Sequence, residues 1–449
     1  WPADERRRKR TRTRRERLRE HVRARHETIM ATPKEGWDVS EVDMDNMWKY
    51  VKRCKKDRVA PGPDGITGQL LMHGGEQMKA LLKHALEVVA HSGNFPRTWC
   101  EAILVPIPKP GKRRQDPNAY RPITMTSILT KALEAAIKGR FEEAMSKKAR
   151  GLNRYALAYR TGQGADLAVL MCVETVLLAQ TDAKLNDRNN PKIWGISVDI
   201  KDAFNGTWRE FVEVREWDRH HIRGAVWEAA RQASGQVVYH LKMHGRLVGR
   251  FSQHKGMAQG PVLSPMKYNI SCGHMLEHLQ KANIAVLPDA PMGACFSDDL
   301  MLLVEDCNVP KALRALETAL CTCDKQTQAS KCNATPFFRS DAEYRRKKRM
   351  QLGEGRLPIG HHEKYLGTKL GPNVERSPHQ AKMAAEKAKK AIRLINWMGG
   401  FDTGMSWTKI TTLYKSTVEP ILVAAMRNTH MNTNLQRRGH PEASPRQSS

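Results

Sequence analysis

A chain of 449 residues is long enough for two or three packed modules and excludes a single small domain. Its 75 lysines and arginines stand against 47 acids, a formal charge of +28 that attracts polyanions and points to nucleic acid as the partner. No apolar run is long enough to span a bilayer, and the basic stretches lack the aromatic and leucine face of an interfacial helix, so a membrane is the weaker reading of the same charge.

The chain opens at Trp1 rather than a methionine, which fits a piece of a longer reading frame. Through Arg25 it is dominated by arginine, including Arg6-Arg7-Arg8-Lys9-Arg10, with few apolar residues to repay the entropy of ordering. Residues 1–36 are therefore expected to form a basic, mobile arm or a solvated helix, serving nucleic-acid contact, nuclear import or merely linkage. Composition becomes globular from Trp37. Nine cysteines, an odd number with no secretory signal ahead of them, predict reduced thiols in an intracellular protein, with the nucleus the expected compartment. The local group Cys321, Cys323 and Cys332 lacks a fourth ligand at finger-like spacing, so structural zinc is the weaker reading.

Helical spacing of Leu129, Leu133, Ala136, Ile137 and Phe141 predicts a core helix opened by Thr126-Ser127. Ile196, Val198 and Ile200 alternate with Ser197 and Asp199, which predicts a strand that buries its aliphatics and turns the aspartate to the opposite face. Val237-Val238-Tyr239 and Leu247-Val248 flank Gly245 and read as a hairpin. Ala294-Cys295-Phe296 and Leu300 to Leu303 surround Ser297-Asp298-Asp299, a second hairpin with two carboxylates expected at its tip. A helix is expected after Ser377-Pro378, with Ala384, Ala388, Ala391, Ile395 and Met398 on one face and lysines on the other, ending at Gly399-Gly400. Residues from Asn434 read as a disordered tail. Helices and strands mix without a βαβ rhythm, which predicts an α+β architecture.

Like charges side by side at the end of an apolar strand repel, so Asp298-Asp299 needs a reason to exist. A divalent cation supplies one, because magnesium prefers carboxylate oxygens and keeps water for exchange with substrate phosphate. Asp199, alternating away from its strand's aliphatic face, is the natural third ligand. Two metals about 3.5–4 Å apart can activate an attacking hydroxyl and stabilise a leaving oxygen.

Eight blocks then follow in chain order: APGPDGIT at 60–67, VPIPKPGK at 105–112, AYRPITMTSILTKALE at 119–134, SVDIKDAF at 197–204, KGMAQGPVLSP at 255–265, FSDDLMLLVE at 296–305, Lys331, and KYLGTKL at 364–370. This series resembles the reverse transcriptases of non-LTR (LINE-type) retrotransposons, over roughly residues 59 to 370. The resemblance implies an RNA-directed DNA polymerase with a right-hand fold: fingers and palm at 37–370, the palm holding an antiparallel sheet, and a helical thumb at 371–433. It implies catalysis with two Mg²⁺ ions, for which Mn²⁺ can substitute, held by Asp199, the carbonyl of Ile200, Asp298 and Asp299. Phe204 stands at the position of the steric gate that excludes a ribonucleotide's 2′-hydroxyl. Lys109 and Arg121 would bind the triphosphate, a task that suits a point charge and a bidentate fork. Gln259 and Gly260 would lie near the nascent base pair, Lys331 would protonate departing pyrophosphate, and Leu366-Gly367 would grip the primer end. The implied partners are an RNA template, a DNA primer and dNTPs.

Four positions depart from the family pattern. Ser297 replaces an alanine before the aspartates, and Ala258 replaces a proline, which is expected to loosen its loop. Asn205 stands for aspartate, and Cys332 for threonine. None removes a metal ligand. The rival readings are an RNA-dependent RNA polymerase, against which Phe204 argues, and a decayed retroelement product retained only as a nucleic-acid-binding protein.

Overall fold

A computed structural model of the chain describes residues 2–33, 43–56, 59–92, 95–147, 151–235, 237–253, 255–287, 290–372, 389–393 and 412–418. Four helices come first: α1 (Pro2–Ala31), α2 (Met44–Lys56), α3 (Gly68–His73) and α4 (Gly75–Ser92). Strands β1 (Glu101–Pro108) and β2 (Tyr120–Thr126) lead into α5 (Ile128–Ser146) and α6 (Ala165–Leu185). Next come β3 (Ile193–Asp199), α7 (Arg209–Asp218), α8 (Gly224–Gly235), β4 (Val238–Met243), β5 (Arg246–Ser252) and α9 (Ser264–Lys281). The hairpin β6 (Gly293–Phe296) and β7 (Asp299–Glu305) is followed by α10 (Val309–Thr322), β8 (Asn333–Pro336) and α11 (Ala342–Lys347). Short hairpins β9 (Gln351–Leu352) with β10 (Gly355–Arg356), and β11 (Glu363–Tyr365) with β12 (Thr368–Leu370), complete the described strands. Helix and sheet are mixed as α+β, and among the described residues no helix is long and apolar enough to cross a membrane.

The chain divides into two compact units, the first made of residues 1–159, 200–281 and 315–327 and the second of 160–199, 282–314 and 328–449. The first unit carries a four-stranded sheet in the order β2-β1-β4-β5, in which β1 runs parallel to β4 and the other pairs are antiparallel. In its helix α5 four residues of the predicted stripe, Leu133, Ala136, Ile137 and Phe141, are buried while Leu129 is half-buried, and the Ser127 hydroxyl caps the helix by accepting the Leu129 N–H at 3.0 Å. The APGPDG turn folds onto this cap. Ser127 Oγ donates to Asp64 at 2.5 Å, and a Cβ on Gly62 would meet the Ser127 nitrogen at 2.6 Å, so only glycine permits the approach.

Where the sequence suggests a mobile arm or a solvated helix, α1 is a helix anchored along one face. Leu18, Val22 and Ile29 recur at helical spacing, with Val22 and Ile29 buried, and the helix packs on α7. Charge fixes it as well. Arg19 forks onto both oxygens of Asp324 at 2.9 and 3.0 Å, Arg25 pairs with Asp218 at 2.6 Å, and His26 lies 2.7 Å from Glu213. Two buried aliphatics and these three polar pairs, of which Arg25–Asp218 is exposed, offset part of the entropy that a basic segment loses on ordering.

The second unit holds an antiparallel sheet in the order β6-β7-β3-β8, with α6 packed on the β6–β7 hairpin. Trp194 of β3 is fully buried, sits edge-on to Phe338 at 5.3 Å and donates through Nε1 to Asp306 at 2.7 Å. A large buried apolar side chain of this kind contributes about 1.5–3 kcal/mol. The helix expected after Ser377-Pro378 lies outside the described residues except for 389–393, which are helical, and the residues from Asn434 lie wholly outside them.

Candidate active site

In the second unit, β3 exposes Ser197 and Asp199 partly while burying Ile196 and Val198, so the period of the strand delivers the aspartate away from the core. The β3–β7 ladder ends on the pair Asp199↔Asp299. Directly opposed residues place their Cβ atoms about 4.5–5.5 Å apart, so two carboxylates share one end of the sheet. The β6–β7 hairpin corrects the expectation of two aspartates at a tip. Its turn is Ser297-Asp298, closed by the pair Phe296↔Asp299, so Asp298 occupies the turn and Asp299 belongs to the ladder. Ser297 sits at φ +59°, a region that costs an L-residue about 1–2 kcal/mol and that few side chains tolerate.

Burial pushes the Asp299 carboxyl up, and the neighbouring charges of Asp298, Asp199 and Glu363 push it further. Glu363, on β11, is thus a fourth acid at this end that sequence reading passed over, although it directly precedes the KYLG block. Asn333 Nδ2 donates to its carboxylate. Tyr365, which is buried, donates through its hydroxyl to the Ala294 carbonyl at 3.0 Å and ties the β11–β12 hairpin to β6. That hairpin turns on Leu366-Gly367, with φ +48° and +85°. Lys331 is exposed on the 3-10 turn Ala329–Lys331. The Cys332 thiol, buried beside it and pushed up by that burial, accepts the Asp199 N–H at 3.3 Å.

Among the described residues no three His, Cys, Asp or Glu side chains form a ready cation cage. Magnesium does not require one, since it is commonly bound by one or two carboxylates together with waters and substrate phosphate. An opposed aspartate pair with a third acid in the adjoining turn has the donor chemistry for that arrangement.

The first unit gathers another group of predicted residues. Arg121 pairs with Ile107 across the β1–β2 ladder, and just beyond it the Lys109 N–H donates to the Ala119 carbonyl at 2.6 Å. Arg121 is exposed and Lys109 half-buried. The 255–260 loop runs from Phe204 to this hairpin. Its Met257 N–H donates to the Phe204 carbonyl at 2.9 Å, and its Gln259 carbonyl accepts the Thr124 N–H at 3.0 Å. Gly260, at φ +141°, brings its backbone so close to Thr124 that a Cβ would lie 2.4 Å from the carbonyl oxygen. Ala258, half-buried, packs against the apolar cluster of Ala102, Val237 and Tyr239. The Phe204 ring stacks on Tyr268 at 4.4 Å and meets Tyr159 edge-on at 6.3 Å. Ile200 is buried, and its backbone bridges to Thr327.

Residues 107–370 match the family described as reverse transcriptase (RNA-dependent DNA polymerase). The chain belongs to the reverse transcriptase family. The chain is 22% identical over 372 residues to the RNA-directed DNA polymerase from mobile element jockey of Drosophila melanogaster, covering 81% of this chain and 39% of that protein. It is 23% identical over 380 residues to the probable RNA-directed DNA polymerase from transposon BS of the same species, with the same coverage of 81% and 39%. It is 25% identical over 283 residues to a Pol polyprotein from a type-1 retrotransposable element R1 of Bradysia coprophila, covering 62% and 25%. The chain thus spans about two fifths of the length of the first two relatives. Members of this family generally use divalent metal ions, and the matched span of the chain holds every site residue predicted from the sequence, from Lys109 to Gly367.

Proposed function

We propose that this chain is an RNA-directed DNA polymerase of a non-LTR retroelement, extending a DNA primer along an RNA template with dNTPs. The observation that carries the reading is the opposed pair Asp199↔Asp299 beside Asp298, inside a span that matches the reverse transcriptase family. In the reaction the primer 3′-oxygen forms a bond to the α-phosphorus of the dNTP, the α–β phosphoanhydride bond breaks, and pyrophosphate leaves. Two Mg²⁺ ions, or Mn²⁺ in their place, supply charge stabilisation to the attacking and leaving oxygens when bound. Asp199, Asp298 and Asp299 would hold them, with the Ile200 carbonyl as a further oxygen donor.

The remaining residues take roles suited to their chemistry. Arg121 and Lys109 neutralise the triphosphate, and Lys331 returns a proton to the departing pyrophosphate. Gln259 and Gly260 shape the wall near the nascent base pair, and Leu366-Gly367 positions the primer end. Phe204 fills the space of a 2′-hydroxyl and so selects dNTPs. Fingers and palm would occupy residues 37–370, with the thumb at 371–433.

Primer extension on a homopolymer RNA template with labelled dTTP tests this reading. Asp298→Asn is expected to lower the rate by at least about two orders of magnitude, the scale of losing an electrostatic stabiliser of the transition state. Retained wild-type synthesis by that variant would overturn the assignment. Preference for NTPs over dNTPs would favour an RNA-dependent RNA polymerase instead.

A further inference from the structure

We propose that Tyr268 and Lys325 form a buried platform that sets the gate ring of Phe204 and thereby the enzyme's discrimination between deoxyribose and ribose. The proposal rests on the gate assignment made above and extends it to two residues outside the motif that carries the gate. A gate works by excluding one hydroxyl oxygen, so its selectivity depends on the ring being held to within a fraction of an ångström. What holds the ring therefore matters as much as the ring itself.

The holding contacts are specific. Tyr268, fully buried on α9, stacks on Phe204 with ring centroids 4.4 Å apart and planes only 16° from parallel. Such an offset pair has a preferred geometry that an aliphatic neighbour would not impose. Lys325 is 3% exposed, and its ammonium lies 4.6 Å from the centroid of the Tyr268 ring. Desolvation makes a cation–π contact of this kind stronger than one at the surface. The same ammonium donates to Thr207 Oγ1 at 3.2 Å and to the Ala203 carbonyl at 3.4 Å, and Thr207 Oγ1 itself donates to that carbonyl at 2.7 Å.

One buried cation thus touches both the ring beneath the gate and the backbone one residue before it. The Phe204 carbonyl is pinned as well, accepting the N–H groups of Met257 at 2.9 Å and Thr207 at 3.1 Å. Burying an ammonium is costly, and an apolar residue would fill this space at lower cost if volume were the only requirement. Tyr268 and Lys325 reach no substrate by this argument; they are positioning residues, acting through Phe204.

The test is the ratio of kcat/KM for dTTP to that for UTP on an RNA homopolymer template, measured in the full chain for Phe204→Val, Tyr268→Leu and Lys325→Met. Phe204→Val should collapse the ratio. Tyr268→Leu and Lys325→Met should each lower it, on the order of tenfold for loss of a desolvated cation–π contact. On top of Phe204→Val, the change Lys325→Met should add almost nothing, because the platform acts only through the ring. Should Lys325→Met fail to fold, Thr207→Val removes one acceptor of the ammonium and should also lower the ratio, whereas Lys325→Arg should retain more of it than Lys325→Met. If Phe204→Val collapses the ratio while both platform variants keep it, even with reduced rates, the pair is merely structural and the proposal falls while the gate stands. If Phe204→Val leaves the ratio unchanged, gate and platform fall together.

Discussion

Asp199 and Asp299 face each other as the last pair of the β3–β7 ladder, two like charges on directly opposed positions. Such a pair destabilises a sheet by about 0.2–1 kcal/mol relative to a neutral one, so the metal-free protein should carry strain that a cation relieves. Asp299→Asn is therefore expected to raise Tm slightly in EDTA. Adding Mg²⁺ should raise the wild-type Tm by more than that of the variant, since a ligand stabilises only the state that binds it. Thermal melts with and without the ion decide this, and equal Mg²⁺ responses would count against a metal held at this pair.

Asp324 is the anchor of α1. Its side chain is only 6% exposed and receives Arg15 at 3.3 Å, Arg19 at 2.9 Å and Lys255 at 2.8 Å. Hydrogen bonds from Lys255 and Arg19 hold its carboxyl below the usual aspartate range although burial opposes them. The stability it contributes is thus present above the ordinary aspartate pKa and lost as pH falls through the lowered one. Asp324→Asn should cost about 1–3 kcal/mol, kept modest because the three cations are partly solvated. Amide exchange should then accelerate in α1 around Arg15–Val22 and in the 255–260 loop. Unchanged exchange in both would show that the apolar face alone docks the helix.

Glu134 offers a pH test of the same unit. Fully buried in α5, it accepts the Val262 N–H at 2.6 Å, and burial pushes its carboxyl up to about 7. Because the folded pKa is raised, its contribution to stability is complete below the unfolded value and is lost as pH rises toward about 7. Glu134→Gln keeps an acceptor for Val262 and cannot ionise. Denaturant midpoints should fall less between pH 5 and pH 8 in this variant than in the wild type, an interval of about three pH units bracketing the carboxyl's titration. Parallel profiles would place the ionisation elsewhere.

Much of the local structure around the candidate site was legible in the sequence because its signals are local. Alternation in a seven-residue strand gives the open side of Asp199, and a serine before an apolar run gives the cap of α5. The ordered blocks gave the family. Which residues oppose one another was not legible, because ladder register depends on pairing between segments about a hundred residues apart, and a period of two is blind to the partner. Register moved Asp299 from a hairpin tip into the sheet, and the packing of β11 on β8 brought Glu363 within electrostatic reach of it. The same holds for α1, whose apolar stripe of Leu18, Val22 and Ile29 is too sparse to announce a docked helix until Asp324, some three hundred residues later, supplies the charge that holds it. Local patterning determined what each segment is; tertiary packing decided which side chains meet, since burial and charge pairing are properties of assembled segments and not of any one of them.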